Sequence, residues 1–339
     1  MAPHVAAPRI GVIVPATDGP STLKRCVDAI RDSSDSPEEV IVVTEPVGAG
    51  PAAARNAGAE RATGDILVFV DADVIVHPDA LGRIRAAFGR DPSLKALFGS
   101  YDDQPGAPGA VSGFRNLLHH HIHQQAAGPA ETFWAGLGAI RRQAFLGAGG
   151  FDQARFPRAS IEDVELGMRL AAGGGHVWLD PEIQGTHLKG WTLLGMLRTD
   201  FARRGLPWVR LLLRSRTVPR HLNLGWTHRL SAVASLLALF AVVRRRPGLL
   251  DGAALALVGL NRSLYVLVLR RLGPGGALAG IGVHMLHHLA ATASVAAGVA
   301  ADALGGSDTR RSTRWSGDRS PPGESTLPVP VDEATARQP

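Results

Sequence analysis

Cysteine is almost missing from this chain: Cys26 is the only one in 339 residues. A lone thiol excludes an intrachain disulfide framework and fits a reducing compartment. No secretory leader is expected either. After Arg9 the apolar run from Ile10 to Val14 is closed by Pro15, too short for a signal-peptide core. The N-terminal part is therefore expected to stay in the cytoplasm. Nor is there a glycine-rich phosphate loop with a lysine near the N-terminus, which counts against a P-loop type of nucleotide chemistry. Long apolar runs are absent before about Leu230 and dense after it.

Positive charge is in excess. Lys and Arg number 36 against 30 Asp and Glu, a net charge of +6. The arginines bunch between Arg198 and Arg220, at Arg244 to Arg246, and at Arg310, Arg311 and Arg314. Basic clusters beside apolar stretches fit an anionic membrane face better than a nucleic-acid groove. A membrane partner is expected, and no nucleic acid.

Up to about Phe98, short β-rich runs alternate with helical patterns. Strands are expected at Ile10 to Val14, Val40 to Thr44 and Ile66 to Val70. Helices are expected around Leu23, Val27 and Ile30, over Pro51 to Ala62, and over Pro78 to Phe88. The alternation predicts an α/β fold with a mostly parallel sheet covered on both faces. Ligands bind beyond the carboxyl ends of such strands, which singles out Pro15 to Asp18, Thr44 to Gly48 and Asp71 to Val74.

The later chain reads differently. From Trp191 to Arg220, Leu, Trp and Phe interleave with Arg as in an interfacial amphipathic helix. Leu230 to Val243 is short for a bilayer crossing. Pro247 to Leu269 is long enough but carries Asp251, Asn261 and Arg262. Ala277 to Leu304 carries His284, His287 and His288. Those interruptions suggest helices packed together or lying shallowly. The expected division is a tail over 1–8, a catalytic domain over 9–190, an amphipathic segment over 191–225, membrane-associated helices over 226–304 and a disordered tail over 305–339.

The chemistry concentrates in a few places. An apolar strand delivers Asp71 and Asp73 just past its end, two residues apart and so on one side of an extended chain. Hard oxygen ligands of this kind suit Mg²⁺ or Mn²⁺ with room left for phosphate oxygens. Paired acids after a strand also form ordinary turns, and both readings stand at this point. Glu162 and Asp163 open a helix, where carboxylates are also plain capping chemistry. His187 and Lys189 follow, an imidazole and an ammonium spaced to reach a metal-bound diphosphate. His119 and His123 share a helix face, where they hold a metal, line the acceptor cleft or sit partly solvated.

In order along the chain stand Ile10-Gly-Val-Ile-Val-Pro15, Arg55-Asn56-x-Gly58, Ala62-Thr-Gly64-Asp65 and Asp71-Ala-Asp73. Then come Trp134-Ala-Gly136-Leu-Gly138-Ala-Ile-Arg141-Arg142, Gly149-Gly150-Phe151-Asp152, Glu162-Asp163, His187 and Arg203-Arg204-Gly205-x-Pro207-Trp208. Together they closely resemble the inverting glycosyltransferases of family 2, over roughly Arg9 to Arg216. The resemblance implies a GT-A domain, a nucleotide-sugar donor and a lipid-linked or saccharide acceptor. It implies that Asp163, beside Glu162, is the catalytic base. Pro15, Arg55, Asn56, Asp65, Asp71, Asp73, His187, Lys189, Arg203 and Arg204 would serve the donor, with Asp73, Asp71 and His187 at the metal. Trp134, Gly136 and Gly138 would meet the sugar or acceptor. Where many members carry two acids and a glycine after the second strand, this chain has Thr44-Glu45-Pro46. Glu45 would take over that role, and the nucleobase stays open. The expected setting is the cell membrane with the catalytic domain facing the cytoplasm. A nucleotidyltransferase and an inactive membrane-anchored scaffold on the same fold are the competing readings.

Overall fold

The computed structural model describes residues 7–215 and 225–305. The elements of the first part run β1 (Ile10–Pro15), α1 (Leu23–Arg31), β2 (Glu39–Val43), α2 (Pro51–Arg61), β3 (Ile66–Val70), β4 (Val74–Val76), α3 (Ala80–Arg90) and β5 (Leu94–Tyr101). There follow α4 (Ala110–Gln125), β6 (Gly128–Pro129), β7 (Leu137–Arg141), α5 (Arg142–Gly147), α6 (Glu162–Ala172) and β8 (His176–His187). The three strands and three helices expected before Phe98 all form, with ends shifted by one or two residues. Side chains alternate across each strand. Ile10, Val12 and Val14 therefore pack with Cys26, Ile30, Leu81, Ile84 and Phe88. Ile13, Leu67 and Phe69 point the other way, onto Ala52, Ala59, Phe145, Phe151 and Leu166. Each large side chain buried in these layers contributes about 1.5–3 kcal/mol.

The expected mostly parallel sheet is corrected. The sheet has eight strands in the order β2-β1-β3-β7-β5-β8-β4, with β6 beside β8. Three pairings are parallel and four antiparallel. The reversal begins at β7, which inserts antiparallel between β3 and β5. Nothing in the periodicity of Leu137 to Arg141 encodes its direction, because an apolar strand buried on both faces reads alike either way. The direction matters for the site. Val70 pairs with Leu137, so the residues before β7 meet the end of β3. Val74 pairs with His187, so the end of β8 meets the turn after β3.

The second part is helical. α7 (Leu193–Arg198), a π-helical turn (Thr199–Gly205) and α8 (Leu206–Ser215) follow one another, then α9 (Trp226–Val243), α10 (Pro247–Leu260) and α11 (Arg262–Gly305). The expected single helix from Trp191 is thus interrupted by the π turn, and its last residues lie outside those described. The expected run Pro247 to Leu269 is divided at Asn261, whose side-chain amide donates to the Leu257 carbonyl at 2.8 Å. Gly273, with φ at 70°, kinks α11 just before Pro274. α9 and α11 are long and apolar enough to cross a membrane by length and composition. The expected N-terminal tail up to residue 6 and the tail from 306 lie outside the described residues.

Candidate active site

β3 is apolar and buried along its whole length, and its end releases Asp71. The Asp71 amide donates to the Gly136 carbonyl at 3.0 Å, and the Asp71 carbonyl accepts from Val74 at 2.9 Å. The Thr22 hydroxyl braces this turn by donating to the Ala72 carbonyl at 2.8 Å. Asp73 comes out beside β8, where the Leu188 amide donates to its carbonyl at 2.8 Å.

Arg55, from the buried side of α2, links the two acidic pairs. Its Nη2 donates to Asp71 Oδ1 at 2.6 Å and its Nη1 to Glu162 Oε1 at 3.0 Å. Burial works against the guanidinium charge, but Asp71, Glu162 and Asp163 outweigh it and hold Arg55 above its ordinary value. Burial pushes the Asp71 carboxyl up, aided by Asp73, against the pull of Arg55. Asp73 differs. Burial raises it, yet His187, with Nε2 3.7 Å from Oδ2, and Lys189 bring it below the ordinary carboxylate range. Two carboxylates two residues apart are thus tuned in opposite directions by a buried arginine on one side and an imidazole with an ammonium on the other.

Asp163 stands in the first turn of α6, half-buried. The Ala135 amide donates to its Oδ2 at 3.1 Å and the Val164 amide to its Oδ1 at 2.8 Å. Burial, and then repulsion from Glu162, push its carboxyl up to about 6, against Arg55 and the two amides. Glu162 is spent on Arg55 and on the Ser160 amide, 2.8 Å away. Of the two acids, Asp163 has no cationic side chain bonded to it.

Trp134 lies over Gly136. A Cβ there would overlap the indole Cζ2, so the close approach requires glycine. The indole meets Tyr101 edge-on at 4.8 Å and His119 at 4.6 Å, and Tyr101 stacks on His187 at 4.1 Å and 13°. These four rings wall the end of the sheet. Tyr101 was not among the residues singled out from sequence. Its signal was its place at the carboxyl end of β5, where ligands of such sheets bind. His123 is a peg: its Nδ1 donates to the Gly99 carbonyl at 2.9 Å and its ring packs on Phe98. His119 stays half-buried, its Nδ1 without a bonding partner among the described residues.

Other residues fall less centrally. Pro15 ends β1 opposite Val43. Glu45 is exposed and accepts from the Val47 amide at 3.1 Å, folded onto its own loop. Asn56 clamps the loop after α5, exchanging bonds of 2.9 Å with Phe151 carbonyl and amide. Gly138 packs under Phe133 in the core rather than at a sugar. Asp65 is also corrected. It sits at the opposite end of β3 from Asp71, accepting from the Arg9 amide at 2.9 Å. Lys189 is exposed, its ammonium 4.9 Å over the Trp191 ring. Arg203 and Arg204 lie exposed on the π turn, which Ser160 ties to the site by donating to the Arg203 carbonyl at 2.7 Å. Arg204 is close enough to act on Tyr101 and His119 electrostatically.

Residues 35–146 match the family model described as glycosyl transferase family 2. Those residues carry a family 2 glycosyltransferase domain. Among solved structures, the mannosyltransferase PcManGT from Pyrobaculum calidifontis, in complex with GDP-Man and Mn²⁺, aligns at TM-score 0.50 and 17% identity over 85% of this chain and 87% of that one. GalNAc-T7 with UDP, GalNAc and Mn²⁺ aligns at 0.43 and 17%, over 61% and 48%. TarS of S. aureus, residues 1–349, aligns at 0.41 and 14%, over 89% and 93%. No curated protein matches. The glycosyltransferase domain has the GT-A fold. The expected metal trio of this glycosyltransferase is not assembled as such. Among the described residues no three His, Cys, Asp or Glu side chains gather to hold an ion. Asp71 gives one oxygen to Arg55 instead, whereas Asp73 keeps 26% of its side chain exposed and its charge favoured. A hard divalent cation fits Asp73 if the donor brings its own oxygens.

Proposed function

We propose that this is an inverting glycosyltransferase that moves a sugar from a nucleoside-diphosphate sugar to a lipid-linked or saccharide acceptor at the cytoplasmic membrane face. The observation that carries the reading is the single guanidinium of Arg55 bound to both Asp71 and Glu162. It brings the acids after β3 and those opening α6 together, although they lie far apart in sequence.

In this reading Asp163 accepts the proton of the attacking acceptor hydroxyl as its oxygen bonds to the anomeric carbon and the bond to the diphosphate breaks. The two amides on Asp163 hold its carboxylate in place. General-base help of this kind is typically worth about 10² to 10⁴ in rate. Arg55 keeps Glu162 from competing for that proton. Asp73, with His187 beside it, would hold Mg²⁺ or Mn²⁺. When bound, the cation neutralises charge building on the departing diphosphate. Lys189, Arg203 and Arg204 supply further positive charge to the same group. Trp134 and Tyr101 offer apolar ring faces to a sugar. The outward-facing leucines of the C-terminal helices favour an acceptor delivered at a membrane.

Asp163→Asn tests the assignment. It is expected to lower kcat by at least about 10²-fold, the lower end of general-base effects, while nucleotide-diphosphate binding stays within error of the parent. Near-full turnover in that variant would remove Asp163 from the base role.

A further inference from the structure

Helix α9 is built inside out. On α9 the buried positions are Ser231, Ala234, Ser235, Ala238 and Ala241, all small. The large side chains Leu230, Val233, Leu236, Leu237, Leu239 and Phe240 are exposed. A helix of a water-soluble domain shows the reverse, and small residues at contacts with large apolar ones outside is the habit of helices in lipid. Leu194, Trp226, Val243, Leu255 and Leu278 are 69–77% exposed, so the apolar surface continues across several elements.

α11 is not free to cross a bilayer. Arg271 pairs with Asp103. Gly280 lies against Phe114, and a Cβ on Gly298 would press on Val209. His287 Nδ1 bonds Asp200 at 2.8 Å, and Asp200 pairs in turn with Arg115 of α4 at 3.1 Å. Contacts from Arg271 to His287 therefore hold α11 against the catalytic domain, and Gly298 packs on α8. That leaves the hairpin of α9 and α10. With 18 and 14 residues they reach about 27 and 21 Å, against a hydrocarbon core of about 30 Å. Asn261, at the foot of α10, is tied to Ser231 near the start of α9 at 2.8 Å, so the two helices return to one place.

The tip of the hairpin is Arg244-Arg245-Arg246. None of the three has a carboxylate partner among the described residues. The Arg246 amide closes α9 on the Ala241 carbonyl at 2.8 Å with Arg245 at φ 51°. This is the helix-ending turn in which glycine normally takes the left-handed position. Arginine there keeps a third charge at the tip. Beside it lies an open groove of about 640 Å³ lined by Phe240, Arg244, Arg246, Pro247, Gly248 and Leu249.

Resting on the membrane part of the reading above, we propose that the α9–α10 hairpin lies flat in one leaflet without crossing, its foot and its tip both at the interface, and that Arg244, Arg245 and Arg246 hold anionic phospholipid headgroups on the catalytic side. Three arginines in a short loop are retained on the cytoplasmic side rather than carried across. The guanidinium fork matches phosphate, and juxtamembrane basic clusters are drawn to anionic leaflets.

Two cysteine variants of the full chain test this. Gly248→Cys puts a thiol into open space at the tip. Lys24→Cys marks the catalytic domain, where that side chain is 86% exposed. Cys26 is buried, so the parent chain is the blank. A membrane-impermeant maleimide is applied to inside-out and right-side-out vesicles. Both thiols are expected to react in the same vesicle type. Reaction of the tip only in the opposite type would show a crossing and overturn the proposal. Recovery of all protein in the soluble fraction would overturn it together with the membrane reading, while leaving glycosyl transfer untouched. Sedimentation with phosphatidylcholine vesicles, with or without phosphatidylglycerol, is expected to show several-fold more binding to the anionic ones. The variant Arg244→Gln/Arg245→Gln/Arg246→Gln should lose that preference and keep neutral binding. An unchanged preference would overturn the headgroup contact.

Discussion

Arg55 and Glu162, 107 positions apart in the chain, form an ion pair at 3.0 Å with both side chains only 5% exposed. A charge so deeply placed is tolerated only with its partner, and removing one member of a buried pair typically costs about 3–5 kcal/mol. Arg55→Ala is expected to lose stability on that scale, because Asp71 is orphaned at the same time. The freed carboxylates would bind protons more readily in the folded state than in the unfolded one. The deficit should therefore shrink as pH falls from 7 to 5. Thermal unfolding of both proteins at the two pH values checks it.

As the proposed base, Asp163, its carboxyl pushed up to about 6, is expected to set the acid limb of activity. A base works deprotonated, so kcat/KM should be level above about pH 7 and fall below 6, approaching tenfold per pH unit. For stability the sign is opposite to the usual carboxylate. Raised above its ordinary value, this group favours folding most below about pH 4 and loses that contribution as pH rises through 6. A kcat/KM profile between pH 4.5 and 8.5 measures the limb, and a flat profile to pH 5 would contradict it.

Gly136 lies between Trp134 and Asp71, its carbonyl accepting from the Asp71 amide at 3.0 Å. Gly136→Ala would drive its Cβ into the indole. Overpacking of this sort costs about 1–3 kcal/mol, and the displaced strand end also carries the Ala135 amide that holds Asp163. Loss of kcat/KM by more than about tenfold is expected, since a tenfold change needs only 1.4 kcal/mol or so at the transition state. Circular dichroism and steady-state kinetics separate the two effects.

Asp73→Ala should abolish the metal dependence of nucleotide binding and leave the fold intact, because Asp73 is held to its surroundings by its carbonyl. Calorimetry with UDP or GDP, with and without Mn²⁺, reads this directly. Binding that still strengthens with Mn²⁺ would move the cation elsewhere.

The sequence made the β1–α3 half legible because its strands are short apolar runs and its helices bury one face, as at Leu81, Ile84 and Phe88. The acids after β3 and at the start of α6 were legible for the same reason: each sits at the end of an unmistakable element. Strand direction was not. β7 lies antiparallel between β3 and β5, which is fixed by tertiary pairing. Asp65 shows the cost of reading a motif without its strand, since five residues of β3 separate it from the cleft. Tyr101 escaped because a ring that stacks on His187 leaves no periodic mark in the chain. Arg55 was noticed, but only packing reveals that its guanidinium meets two acids.

The central claim is that Asp73 and its neighbours receive a nucleoside diphosphate with a divalent cation. The most direct test is a thermal-shift comparison of detergent-purified protein with UDP, GDP, CMP and ATP, each with and without Mn²⁺. A ligand that binds only the folded state raises its stability by about 2.7 kcal/mol at a hundred times its Kd. Stabilisation by one nucleoside diphosphate only when Mn²⁺ is present is the predicted result, and it would name the donor class. No shift with any diphosphate, or a shift with ATP alone, would contradict the account.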